Sequence, residues 1–515
     1  MTTVIDDLTF YDDIEAYCTP LSCAQGETVS VHVSTRRALV HAVVERWGAA
    51  RVEMWRSNAP IAGTYTPPPA DADSHGCNWP VSLEVPVGAD WPSGFYLITL
   101  TADGADPGRE VAHACFVVRS SHSTGNPLLV LGTNTWNAYN TWGGCSLYTG
   151  GHEVSFARPF TRGLLCRIDS ERDDRKARPV RWGETPDPDG EIYQAFRGEH
   201  AYPAAIGSSG WFIHERRFVE WAERAGWQFD YATSADLDRD PTMLDGHSLI
   251  VSVGHDEYWS LGQRNAVESF IERGGNLASF SGNTMFWHVR LADSTSSMIC
   301  HKYRAHLDDT AGADGNPQLM SGMWADPLIN RPEASILGAG SAWGLYHRFG
   351  QATPRGIGGF VVYRQDHWML EGTGLRYGDV LGARDGVVGY ETLGCHLAFD
   401  DEHLPVSTGR DGSAADHTIV AMCPSSNLGV GDYPKSISAL SDQGDLEFIA
   451  ERIHGGVTEQ NKRKVRHGNA VIVETRPFGA GGGTVITIGS TDWVFGLEND
   501  SDVAQVTQNV LRHCA

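Results

Sequence analysis

The sequence predicts an α/β protein preceded by a β-sandwich, and three observations carry that expectation. Short segments of alternating apolar and polar residues fill the first hundred or so positions, strand-like apolar runs alternate with helical patterns from about residue 128 onward, and 515 residues exceed what one ordinary domain holds. A hydrophobic content of 41% with 20% charged residues describes a globular chain. The formal net charge of −24 argues against nucleic acid or an anionic membrane surface as a partner, because neither offers a counter-charge, and fits a small-molecule enzyme. The stretch MTTVIDDLTFYDD has neither a basic nor an apolar leader region, and no apolar run reaches the length of a membrane span, so a cytoplasmic protein is expected. Ten scattered cysteines suit free buried thiols better than a disulfide framework.

From about residue 20 to 120, ETVSVHVST, ARVEMWRSN, VSLEVPV, GFYLITLTADG and VAHACFVVRSS alternate with period two between turn residues. That spacing signals a sandwich of immunoglobulin type over 1–122, followed by the linker SSHSTGNP. The second domain, 123–515, begins with LLVLGTNTW, read as a buried strand running into a polar loop. Residues 167–191 are charged and proline-rich and read as a solvated excursion. A helix is expected from Ile213 to Ala225, stopped by Gly226, and FDYATSADLD then reads as a strand and turn. The apolar strand Leu249 to Val253, a helix from Leu261 to Arg273, and NLASFSGNT complete a β-α-β rhythm that describes an open sheet with helices on both faces. Residues 300–470 lose the rhythm and are expected to form a large β-rich insertion, after which GTVITIGSTDWVFG and the helix DVAQVTQNVLRHC close the domain.

Ligands of open α/β sheets bind beyond the carboxyl ends of the strands. The residues that follow the apolar runs are Asn134 to Tyr139, His255 to Tyr258, Ser281 to Thr284 and Ser490 to Trp493. In an extended segment, His255 and Glu257 point to one side and Asp256 to the other. Such a pair can be a metal ligand with its base, a general acid and base, or a satisfied structural pair. A nucleophile elbow is absent, since Phe280-Ser281-Gly282-Asn283-Thr284 has glycine where the nucleophile belongs and Cys145 sits in a loop. Two tyrosines facing a glutamate would offer three anionic oxygens, a set suited to a hard trivalent ion.

NTWNAYNTWGGCSLYTGG, VSFARP, SVGHDEYWS, GGNLASFSGNTMFWHVRL, EGTGLRYGD and VVGYET together resemble the large-subunit family of N,N-dimethylformamidase, over about residues 125–515. The resemblance implies a class I glutamine-amidotransferase-like α/β domain that has lost its cysteine nucleophile, and an amidohydrolase acting on linear amides. It also implies a mononuclear non-haem Fe(III) held by two tyrosinates and a glutamate. Carried onto this sequence, the ligands are Tyr139, Glu257 and Tyr148, with Tyr193 or Tyr202 as alternatives to Tyr148. His255 becomes the base beside the metal and Glu391 the second acid, while Asn283 and Asn134 are candidates to hold the developing oxyanion. The substrate is expected to be a small-molecule amide in a pocket built by 300–470, with Trp343, His347, His367 and Trp368 as candidate lining residues. The dimethylformamide-hydrolysing enzyme pairs its large chain with a small subunit, so a homo-oligomer or a small partner subunit is compatible with the sequence.

Two rival readings stand beside this one. A zinc hydrolase would use His255, Glu257 and a further histidine such as His288 or His301. A non-catalytic binding protein would carry the same fold with its activity lost.

Overall fold

The computed structural model describes residues 13–104, 111–120, 122–170, 174–292, 296–308, 310, 316–356, 358–435 and 444–515; most of the stretch read above for a leader, and 171–173 of the charged excursion, lie outside them. The fold is mixed α/β with several sheets. The chain divides into two compact units, unit 1 comprising 1–169, 201–246 and 290–299, and unit 2 comprising 170–200, 247–289 and 300–515.

In unit 1 the strands Ile14–Thr19, Thr28–Thr35 and Val81–Pro86 pair antiparallel in one sheet. A second sheet runs in the order Ser22–Ala24, Val111–Arg119, Gly94–Ala102, Leu39–Trp47 and Arg51–Arg56. The period-two pattern explains why these sheets exist: Val29, Val31 and Val33 of one, with Val40, Ala42, Val44, Ile98 and Leu100 of the other, face a single shared core. The Tyr96 hydroxyl donates to the Pro92 carbonyl at 2.6 Å and ties the start of its strand to the preceding turn.

Unit 1 also holds the parallel pair Leu128–Leu131 and Asp230–Thr233. The segment after Leu131, expected as a loop, is instead the helix Thr133–Tyr139. Every residue in it is buried, and a helix meets most backbone hydrogen-bonding needs internally where a buried loop would not. The turn expected after Thr233 is likewise a short helix, Ser234–Arg239, started by a capping box between Thr233 and Asp236. The helix Glu215–Arg224 buries Phe218, Val219, Trp221 and Ala222, as the periodicity requires.

Unit 2 is built on the strands Leu249–His255, Asn276–Gly282 and Val485–Ile488, parallel to one another. The sheet continues antiparallel through His467–Thr475, His417–Ser426, Phe360–Val362 and Val380–Leu381. The stretch 300–470 thus contributes strands to the same sheet, and it carries two helices, Asp445–His454 and Glu459–Arg466, that the β-rich reading missed. The charged stretch around residue 175 is not a solvated excursion. Asp174, Arg175, Ala177 and Val180 are buried, and Arg175 is anchored to Asp492 at 2.6 Å. No helix among the described residues is long and apolar enough to cross a membrane.

Candidate functional site

The strand Leu249–His255 is buried throughout and ends beside Asn276–Gly282, with His255 opposite Gly282. Beyond these tips the chain is stitched together: the Met285 amide donates to the Asp256 carbonyl and the Trp287 amide to the Glu257 carbonyl, both at 3.0 Å. Asn283 and Met285 hold positive φ angles of 50° and 60°, an uncommon backbone state that marks a tightly determined turn. Gly282 explains the missing nucleophile in physical terms. A Cβ there would lie 2.2 Å from the Glu391 carbonyl oxygen and 2.5 Å from the Thr491 nitrogen, so no side chain fits.

Three groups converge at this point. His255 Nε2 lies 2.6 Å from Glu391 Oε2 and 3.3 Å from Glu257 Oε2. One donor atom from each of His255, Glu257 and Glu391 falls within 4.8 Å of the others, and all three residues are buried. Asp256 points away and accepts from Ser252 at 2.8 Å, as strand alternation requires. Asn283 donates to Glu391 Oε2 at 2.8 Å and accepts from the Ser341 hydroxyl at 2.5 Å, while Trp287 Nε1 donates to Glu257 Oε1 at 2.7 Å.

Burial alone would raise the Glu391 carboxyl. The His255 charge and hydrogen bond, the Asn283 amide and the Lys176 ammonium together outweigh that and hold it below the ordinary glutamate range. Two lysines feel the same carboxylates. Burial brings Lys176 down to about 8 against the pull of Glu391 and Glu257, and brings Lys302 down to about 8 against Glu257, Cys300, Asp445 and Glu391. Lys176 Nζ stands 5.1 Å from the Tyr390 ring centroid, and the Tyr390 ring meets the His255 ring edge-on at 5.8 Å.

Among the sequence-derived candidates, His255, Glu257, Asn283 and Glu391 are thus brought together in unit 2. Tyr139 and Tyr148 come together in unit 1, their rings stacked at 4.2 Å. Asn134 is buried in the helix that ends at Tyr139. Tyr193 lies in the helix Glu191–Glu199, and the Tyr202 hydroxyl accepts from the Ile168 amide at 3.2 Å. Trp343 ends a short 3-10 helix that begins with Ser341, the partner of Asn283, and its ring packs against His396. His367 is held by Glu474 at 3.1 Å, as is Trp368 at 2.7 Å; His347 Nδ1 donates to the Pro424 carbonyl at 2.7 Å. His288 Nδ1 is bound to the Met320 carbonyl and His301 Nδ1 to the Ser321 hydroxyl, so neither joins the His255 group. Sequence reasoning missed Trp287, Ser341, Lys176 and Lys302. Trp287 lies inside the motif GGNLASFSGNTMFWHVRL and Ser341 two residues before the candidate Trp343, while the lysines came from stretches read as excursion and insertion.

Two buried acids and an imidazole thus converge beside the carboxyl end of a parallel strand in a mixed α/β protein, an arrangement chemically able to move protons. Residues 41–506 match the family described as N,N-dimethylformamidase beta subunit-like, C-terminal, and the chain belongs to that family, which supports amide hydrolysis as its class of reaction. No curated protein matches the sequence. Among solved structures, one titled "Structural basis of T cell specificity and activation by the bacterial superantigen toxic shock syndrome toxin-1" matches 21% of this chain and 98% of that chain, at 14% identity and a TM-score of 0.15. A likeness of that size carries no argument about fold or function.

Proposed function

We propose that the protein hydrolyses the C–N bond of a small linear amide with the help of a bound metal ion, and that the His255–Glu257–Glu391 group is the acid–base part of its active centre. The observation that carries this reading is the approach of one imidazole and two buried carboxylates within 4.8 Å, in a chain of the dimethylformamidase-like family. Oxygen-rich, buried donors of this kind suit a hard cation. The ligand set carried by the sequence motifs is Glu257 with the phenolates of Tyr139 and Tyr148, and the metal is iron(III). When bound, such an ion polarises an amide carbonyl and makes water acidic enough to react near neutral pH.

The chain's own residues do the rest. His255, whose Nε2–H is shared with Glu391 Oε2 at 2.6 Å, orients the attacking water, and the Glu391 carboxylate takes its proton and hands it to the leaving amine. Asn283 keeps Glu391 in place, and Trp287 does the same for Glu257. The products are a carboxylate and an amine or ammonia. A second reading has a specific observation behind it: His255, Glu257 and Glu391 by themselves are a nitrogen-and-oxygen set that zinc also accepts.

The sandwich in unit 1 is proposed to be of immunoglobulin type, supported by the Tyr96 hydroxyl tied to Pro92. The unit 2 sheet is proposed to be amidotransferase-like, supported by the acid group at its strand tips. Ten free cysteines support a reducing, cytoplasmic setting.

Metal analysis and the visible spectrum of purified protein test the centre. Iron bound by phenolates colours the protein, zinc does not, and Tyr139→Phe and Glu257→Ala are expected to bleach the band and lower the iron content. A colourless wild type with far less than one metal per chain, unchanged by either substitution, sinks the iron reading. Amide hydrolysis lowered about a thousandfold or more in Glu257→Ala, with the far-UV spectrum retained, is the expected activity result.

A further inference from the structure

A small, partly open pocket in unit 2, with a cavity volume of about 20 Å³, is lined by Arg175, Lys176, Arg178, Arg348, Phe349 and Tyr193, among others. Its arginines are not fully used. Nε of Arg175, Nε of Arg178 and Nη1 of Arg348 are buried and have no hydrogen-bond acceptor among the described residues. An unmet guanidinium N–H in a buried place is costly, and with Lys176 beside the three arginines the pocket lining carries four cationic side chains, a charge that favours an anion.

The charges around the pocket leave room for one. Arg175 and Arg348 share a single carboxylate, Asp492, at 2.6 and 3.1 Å. Arg178 reaches Glu184 only at 3.9 Å. Asp187, the carboxylate on the lining, already accepts from the Glu191 and Ile192 amides. Arg348 is also held at a φ of +60°, a backbone state that non-glycine residues seldom adopt without a functional or packing reason. Burial, and after it the like charge of Arg175, brings the Arg348 guanidinium down to about 9 against the pull of Asp492.

The pocket adjoins the acid group through shared residues. Phe349 lines it and packs against Tyr390 at 5.3 Å, Lys176 Nζ stands over both rings, and Tyr390 meets His255 edge-on. We propose that this pocket receives a carboxylate carried by the substrate, so that the amide hydrolysed is one bearing a negative charge away from its C–N bond. Arginine is the residue that matches a carboxylate's two oxygens with paired donors. This inference rests on the amide-hydrolase reading above and narrows its substrate class.

Calorimetry with succinate, inorganic phosphate and neutral butyramide as probes, together with hydrolysis of succinamate and butyramide by the full chain, tests it. Succinate is expected to bind wild type in preference to the other two. Arg178→Gln, a change on the partly exposed edge, is expected to weaken succinate by roughly tenfold and to raise KM for succinamate by the same factor with kcat little changed. Arg348→Met is expected to lose more; Arg178→Gln keeps the test valid should Arg348→Met fail to fold. Phosphate binding tighter than succinate, or variants that bind succinate as wild type does, overturns the carboxylate assignment. Hydrolysis of butyramide without succinate binding overturns the pocket and leaves the hydrolase standing. Arginine-dependent succinate binding without hydrolysis of either amide overturns the hydrolase reading, and the substrate assignment with it.

Discussion

The sandwich core of unit 1 and the acid centre of unit 2 are both buried, and they are buried on opposite terms. Ile14, Val31, Val44, Ile98 and Phe116 fill the first with groups that lose nothing by leaving water. The second packs His255, Glu257, Glu391, Asp445 and Lys302 out of solvent, each of which must be offset by a partner. A sandwich strand can therefore tolerate the loss of one polar contact, whereas unit 2 depends on networks in which one deletion leaves several groups unmet.

Asp445 sharpens that contrast most. Its carboxylate accepts from the hydroxyls of Tyr303 at 2.6 Å, Tyr346 at 2.7 Å and Tyr433 at 2.6 Å. Burial still holds the carboxyl above its ordinary range. Asp445→Ala removes the shared acceptor of three phenols, two of them buried, and is expected to cost about 4 kcal/mol in chemical denaturation. A loss below about 1 kcal/mol would mean that the network is not cooperative.

Glu333 gives the next effect, and it depends on pH. Burial pushes its carboxyl up from 4.5 to about 7, despite bonds from backbone amides that include Ser341. The folded state then keeps a proton that the unfolded chain releases. The resulting stability is fully present below the ordinary glutamate range and is lost as pH rises to about 7, by about 3 kcal/mol. Glu333→Gln is expected to flatten that part of the stability–pH curve; an unchanged slope between pH 4 and 7 would contradict it.

The smallest effect belongs to unit 1. Tyr96→Phe removes one hydroxyl bonded to Pro92 and is expected to cost about 1 kcal/mol, with no dependence on pH in the same window. A loss as large as that of Asp445→Ala would erase the distinction between the two regions.

What could be read from the sequence follows from the same physics. The sandwich strands were legible because one face of each is buried and one is not, so Val29, Val31 and Val33 announce themselves two residues apart. The helix Glu215–Arg224 was legible by its own period. His255 and Glu257 were legible as a pair because only one residue separates them on an extended segment, and Gly282 because a turn without a side chain stands out. The helix Thr133–Tyr139 was not, since its buried asparagines and threonines carry no apolar stripe.

By itself, then, the sequence determined the alternating core of the sandwich, the parallel strands of unit 2 and the strand tip on which His255 and Glu257 share a side. Only the tertiary structure decided that Glu391 would close on His255, that Ser341 would hold Asn283, and that Lys176, Arg175 and Arg178 would come in from a stretch whose composition suggested solvent. The reason is range: local spacing orients neighbours within one element, while contacts between positions 255 and 391, or 175 and 492, exist only once the sheet has brought distant segments together.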